Sequence, residues 1–103
     1  MEFNKLVRDK IPEIIRSDNK EPVTHIAEGQ EYEGALVLKL QEEVDEFLEN
    51  PSVEEIADIL EVLEAVCVLK GVDLSNLAAV RQKKAEERGG FGKRIILERT
   101  EEK

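Results

Sequence analysis

The sequence predicts an all-α protein, and three observations lead to this fold class. The 103 residues are 41% hydrophobic but include only three Phe, one Tyr and no Trp, so the core is built from aliphatic side chains, as in helix bundles. Long stretches place apolar residues at helical spacing, and Pro or Gly separates them. A chain of this length forms one domain, residues 1–103, whose thin core gains stability from a second copy.

The N-terminal third of the chain predicts short elements. Pro12 begins a short helix that continues to Arg16. Residues 22–27 then have the β-branched content that is typical of a brief strand, and residues 95–97 form a second such run. The two runs can pair, so we expect at most one small strand pair beside the helices.

Three long helices are predicted in the remainder of the chain. Apolar residues recur at helical spacing through residues 32–50, where Asn-Pro ends the first long helix. Ser52 caps the second, which has Glu55 in the capping-box position and ends at a glycine at position 71. The third covers residues 75–88 and stops at a Gly-Gly pair.

The first two long helices should form an antiparallel hairpin. Only residues 48–53 separate them, and so short a connection favours helices that fold back on each other. A hairpin of this kind is half of a four-helix bundle. We therefore expect oligomerisation, as a homodimer or homotetramer, to complete the bundle.

The charge of the chain restricts its partners. A formal net charge of −9 repels nucleic acid polymers and anionic membranes, and no stretch approaches the roughly 18 apolar residues of a membrane span. The N-terminus lacks the pattern of a signal peptide and the single cysteine cannot form an internal disulfide, so a cytoplasmic protein is expected. If an acidic protein binds an anion such as a nucleotide, a divalent metal is the simplest bridge.

Four carboxylates are candidate metal ligands. A helical projection places Glu55 within the apolar arc of its helix and Asp58 at the edge of that arc. On the preceding helix, Glu43 lies at the edge of the apolar stripe and Glu46 lies roughly 60° further round. The hairpin brings the two pairs together, and their repulsion requires a cation. Oxygen ligands alone favour Mg²⁺, for which Mn²⁺ can substitute. The alternative is a solvated acidic face in which Glu55 only closes a capping box.

Several motifs resemble a known superfamily. The segment QEEVDE at 41–46 followed by EIAD at 55–58 resembles the E-E-x-x-E…E-x-x-D signature of the MazG-like, all-α nucleotide pyrophosphohydrolases. The segments NKLVRDKIP at 4–12 and KAEERGGF at 84–91 look like the phosphoribosyl-ATP pyrophosphohydrolase-like branch. The interval between the two acidic motifs is shorter than in many MazG-type proteins, which bears on the choice of substrate.

The resemblance implies an activity and roles for individual residues. It implies Mg²⁺-dependent hydrolysis of a nucleoside triphosphate, or a related nucleotide, between the α- and β-phosphates, giving the monophosphate and pyrophosphate. Two alternatives remain: hydrolysis of phosphoribosyl-ATP in histidine biosynthesis, and a non-catalytic helical dimerisation module. The implied metal ligands are Glu43, Glu46, Glu55 and Asp58. Glu42 is implied to be a further ligand or a base. The catalytic candidates are Glu42 and Glu43.

A substrate with several phosphates needs cationic side chains as well as the metal to bind it. Lys84 and Arg88 share one stripe of the third long helix, and both match the closing motif of the family. Arg8 and Lys10 belong to the family-like N-terminal segment. We expect these four residues to bind substrate phosphates, the alternative being ordinary solvated charges.

Overall fold

The protein is built from α-helices. A computed structural model describes residues 4–102, and this part of the chain contains no strand. It contains four helices, α1 (Ile11–Ser17), α2 (Gly29–Glu49), α3 (Val53–Lys70) and α4 (Leu74–Arg88). The all-α prediction is confirmed, and each predicted helix is present with small differences at its ends.

The chain divides into two compact units. The first extends to Gly71 and contains α1, α2 and α3, whereas the second starts at Val72 and contains α4. The expectation that residues 1–103 act as one domain stays a prediction.

Helices α2 and α3 form the predicted antiparallel hairpin. Lys70 at the end of α3 donates to Glu33 near the start of α2, at 2.8 Å between Nζ and Oε1. The beginning of one helix therefore lies beside the end of the other. Leu36 of α2 is 2% exposed and Val62 of α3 is 8% exposed, and these are the buried apolar side chains among residues 4–102. The core of the hairpin is thus small, as expected for so short a chain.

The caps predicted at the two ends of α3 are both present. The N–H of Glu55 donates to Ser52 Oγ at 3.3 Å, which satisfies one of the free backbone donors of the first turn. At the other end Gly71 has a φ of 68°, a left-handed conformation that favours glycine and ends the helix. These two caps set where α3 begins and ends.

The predicted strand pair is wrong. Residues 22–27 and residues 95–97 both have irregular backbone. Val23 is 98% exposed and Ile96 is 83% exposed. Strand propensity mainly reflects packing of β-branched side chains on a half-buried sheet, and neither segment has such a surface. In the part of the chain that is described, no helix has both the length and the apolar character needed to cross a membrane.

Candidate metal centre

Three carboxylates from the two helices of the hairpin converge. Glu43 of α2 and Glu55 and Asp58 of α3 each offer one oxygen, and these oxygens all lie within 4.8 Å of one another. Glu55 and Asp58 are three residues apart, so they occupy one face of α3 on successive turns. The antiparallel packing brings Glu43 to that face. We call this group the carboxylate cluster.

Two oxygens of the carboxylate cluster are buried without a hydrogen-bond partner. They are Oε2 of Glu43 and Oε2 of Glu55, and the whole Glu43 residue is only 6% exposed. Burial of an ionised oxygen without a partner is costly, and such atoms in a folded protein call for an explanation such as an ion. A hard divalent cation takes carboxylate oxygens as ligands. The donor set therefore fits Mg²⁺ or Mn²⁺.

The capping-box alternative for Glu55 accounts for only part of its geometry. Its backbone N–H donates to Ser52 Oγ, which is one half of a capping box. Its carboxylate leaves Oε2 buried and unpartnered. The side chain is therefore available for another role.

The environment of Glu43 disfavours its ionised form. Burial raises the pKa of Glu43 above its ordinary value, and the nearby charges of Glu46 and Asp58 add to the increase. A hydrogen bond from Lys39 acts in the opposite direction but does not cancel the rise. A cation at the carboxylate cluster would favour the ionised form, because an opposite charge within a few ångströms stabilises it.

Glu42 makes different contacts from its neighbour. Its Oε1 accepts from Lys5 Nζ at 3.0 Å and its Oε2 accepts from Lys39 Nζ at 3.3 Å. Burial acts to raise the pKa of Glu42, but the two lysines outweigh it and the net shift is downward. Glu42 is thus held as a carboxylate between two lysines.

Lys39 is a site residue that the sequence analysis missed. Its Nζ lies 3.3 Å from Glu42 and 3.3 Å from Glu43. The spacing contained the signal, because residues three and four positions apart are neighbours on a helix surface.

Glu46, a predicted ligand, lies one turn beyond Glu43 on α2. It is half-buried and outside the three-oxygen cluster. It is nevertheless close enough for its charge to contribute to the raised pKa of Glu43. Its role as a ligand stays a prediction.

Arg8 reaches the carboxylate cluster from the N-terminal segment. Its Nη2 donates to Asp58 Oδ1 at 2.6 Å, across 50 positions of sequence. This hydrogen bond is the main cause of a raised pKa of Arg8. Lys10 immediately precedes α1 and its side chain is exposed. Of the two N-terminal cations predicted to bind phosphate, the structure therefore brings Arg8 to the cluster.

Lys84 and Arg88, the other predicted phosphate ligands, lie in the second unit. Both belong to α4, one turn apart, and both are exposed. Their contacts with phosphate stay predictions.

Comparisons with known proteins give one partial similarity. A stretch of 42 residues is 50% identical to an uncharacterised protein of Mycolicibacterium smegmatis, covering 41% of this chain and 43% of that protein. The match therefore spans less than half of either protein. The chain matches no protein-family model. No solved structure matches it.

Proposed function

We propose that this protein is a magnesium-dependent nucleotide pyrophosphohydrolase. Its substrate is a nucleoside triphosphate or a related nucleotide, which it cleaves between the α- and β-phosphates to a monophosphate and pyrophosphate. The observation that carries the proposal is the pair of buried, unpartnered carboxylate oxygens on Glu43 and Glu55. The motif resemblance supplies the reaction class.

The residues that would hold the metal are those of the carboxylate cluster, with Glu46 as a further ligand. Mn²⁺ can replace Mg²⁺ because both prefer oxygen ligands. When bound, a divalent cation neutralises charge on the phosphates and makes water a stronger nucleophile near neutral pH.

The remaining polar residues would bind substrate and move protons. Arg8 carries a planar guanidinium that suits bidentate binding of phosphate oxygens, and its bond to Asp58 keeps it beside the cluster. Glu42 and Glu43 are the proposed proton acceptors for the attacking water. Both oxygens of Glu42 are engaged by lysines, and Glu43 is also a proposed metal ligand, so the two residues stay alternatives for this role.

A second copy of the chain belongs to the proposal. Many large apolar side chains of the hairpin are exposed, including Leu38 at 71%, Val53 at 73% and Leu60 at 56%. Contiguous exposed apolar surface is typical of protein–protein contacts. A homodimer or homotetramer would cover these side chains and complete a four-helix bundle.

The test is a set of incubations with ribo- and deoxyribonucleoside triphosphates, with Mg²⁺ or with a chelator, followed by chromatography of the products. Monophosphate and pyrophosphate that form only with metal would support the proposal. Glu55→Gln and Asp58→Asn should abolish this turnover and leave the helical circular-dichroism spectrum unchanged. Glu64→Gln, on an exposed part of α3, is the matched control and should retain activity.

The same experiment addresses the two alternatives. If no triphosphate is hydrolysed, phosphoribosyl-ATP is the next substrate to offer, since the motifs at 4–12 and 84–91 resemble that branch. If this nucleotide is also untouched, a non-catalytic dimerisation module becomes the better description. Full activity of Glu55→Gln or Asp58→Asn would refute the assignment of the site.

A further inference from the structure

Lys39 lies at the centre of a row of alternating charges beside the carboxylate cluster. Its Nζ is 3.3 Å from Glu42 Oε2 and 3.3 Å from Glu43 Oε1. Glu42 in turn accepts from Lys5 at 3.0 Å. The Lys39 side chain is 16% exposed, so it has little freedom to move into solvent.

The two contacts of Lys39 have different consequences for the two carboxylates. On Glu43, Lys39 engages Oε1 and leaves Oε2, the buried oxygen without a partner, available to the cluster. On Glu42, Lys39 completes the occupation of both oxygens. Glu42 is therefore kept away from the cluster while Glu43 is held in it, although the two residues are adjacent in sequence.

We propose that Lys39 is a positioning residue of the metal site, which fixes the carboxylate of Glu43 through Oε1 so that Oε2 stays available to a divalent cation. This inference rests on the proposed function, because it requires a cation at the carboxylate cluster. It assigns Lys39 no contact with the substrate or with the reacting atoms.

The effect of Lys39 on metal affinity separates positioning from simple charge compensation. A lysine that only neutralised the carboxylates would compete with the metal, so its removal would tighten binding of a divalent cation. A lysine that orients a ligand has the opposite effect, because a ligand without its supporting partner binds more weakly, by about 10- to 100-fold in known metal sites.

The experiment measures the Kd for Mn²⁺ by calorimetric titration of the native chain and of Lys39→Met and Lys39→Arg. Lys39→Met should raise the Kd by about 10- to 100-fold, whereas Lys39→Arg should recover most of the affinity because it retains charge and several donors. Lys70→Met is the matched control. It breaks a Lys–Glu pair between the same two helices, that of Lys70 with Glu33, and should leave the Kd unchanged.

The Kd values for Mn²⁺ distinguish a positioning role of Lys39 from charge compensation alone. An unchanged or lower Kd in Lys39→Met, in a variant with a native circular-dichroism spectrum, overturns the positioning role. If Lys39→Met does not fold, Lys39→Gln replaces it, since one amide cannot span two carboxylates and the same weakening is expected. A native chain that binds no Mn²⁺ refutes the metal-dependent function itself and this inference with it. Binding by the native chain that Lys39→Met retains in full refutes the inference alone.

Discussion

Replacement of Glu43 by glutamine tests the proposed metal centre without knowledge of the substrate. The change removes one negative charge and keeps the shape of the side chain. Glu43 is 6% exposed, and its carboxylate lies with those of Glu55 and Asp58 in the cluster. We expect Glu43→Gln to stabilise the metal-free protein and to abolish its stabilisation by Mn²⁺.

The size of the first effect follows from the distances. A charge on Glu43 within 4.8 Å of two other carboxylates is repelled by about 3.5 kcal/mol from each at an effective dielectric of about 20. Lys39 at 3.3 Å attracts it by about 5 kcal/mol on the same scale. The repulsions exceed the attraction, and burial adds to the difference. Arg8 on Asp58 and the surrounding water reduce it, so we expect a net gain of about 1 kcal/mol for the neutral side chain.

Thermal unfolding with EDTA or with Mn²⁺ is the assay. A gain of about 1 kcal/mol raises the Tm of a domain of this size by about 4–8 °C. Mn²⁺ at about 100 times its Kd should stabilise the native chain by about 2.7 kcal/mol and should not shift Glu43→Gln. The order of the two melting temperatures therefore reverses when the metal is added.

Glu64→Gln is the control for net charge, since it makes the same change on an exposed part of α3. It should melt near the native temperature in EDTA and respond normally to Mn²⁺. A lower Tm of metal-free Glu43→Gln would show that its carboxylate is favourably paired without a metal. An undiminished response of Glu43→Gln to Mn²⁺ would show that the cation binds elsewhere. Either result refutes the reasoning.

Three further predictions concern pH, the core and the helix cap. The pKa of Glu43 is raised above its ordinary value of 4.5. Its contribution to metal-free stability is therefore present below pH 4.5 and is lost as the pH rises through the raised pKa. Protons also compete with the cation for the carboxylate. The Mn²⁺-induced Tm shift should therefore shrink from about pH 8 to about pH 5, and a constant shift would contradict this. Leu36→Ala should lower the free energy of unfolding in urea by about 2–5 kcal/mol, against less than about 0.5 kcal/mol for Glu64→Ala at an exposed position of α3. Ser52→Ala should cost about 1 kcal/mol in the same assay, and Ser52→Asp should not.

Local signals in the sequence predicted the helices and the hairpin. These signals act within a few residues and can therefore be recognised in the sequence itself. They are the apolar spacing, the Asn-Pro stop after α2, the Ser52 cap and the glycine at 71. The apolar spacing also predicts which face of α3 packs against α2. This spacing predicted that Glu43, Glu46, Glu55 and Asp58 converge, and all of them except Glu46 belong to the observed cluster. The strands predicted at 22–27 and 95–97 are absent, because their β-branched composition suits a sheet and residues 4–102 contain none.

Contacts between distant segments could not be predicted from such signals. The bond from Arg8 to Asp58 spans 50 positions, and the pair of Lys5 with Glu42 spans 37. The resemblance predicts that Arg8 binds phosphate, whereas its bond to a carboxylate of the cluster is visible only in the folded chain. The distinction between Glu42 and Glu43 is of the same kind, because the two residues differ in which lysines reach them rather than in residue type.

The small core of the hairpin and its acidic site are linked energetically. Leu36 and Val62 are the buried apolar side chains of the described residues, so the apolar packing of α2 against α3 contributes little free energy to folding. The same interface carries buried carboxylate oxygens without partners, which oppose that packing. A cation bound by both helices would remove the opposition and join them, so that part of its binding free energy appears as stability of the fold. If the cluster binds a cation as proposed, substitutions in it should change metal affinity and melting temperature together, whereas Leu36→Ala should lower the stability of the hairpin and leave every carboxylate of the cluster in place.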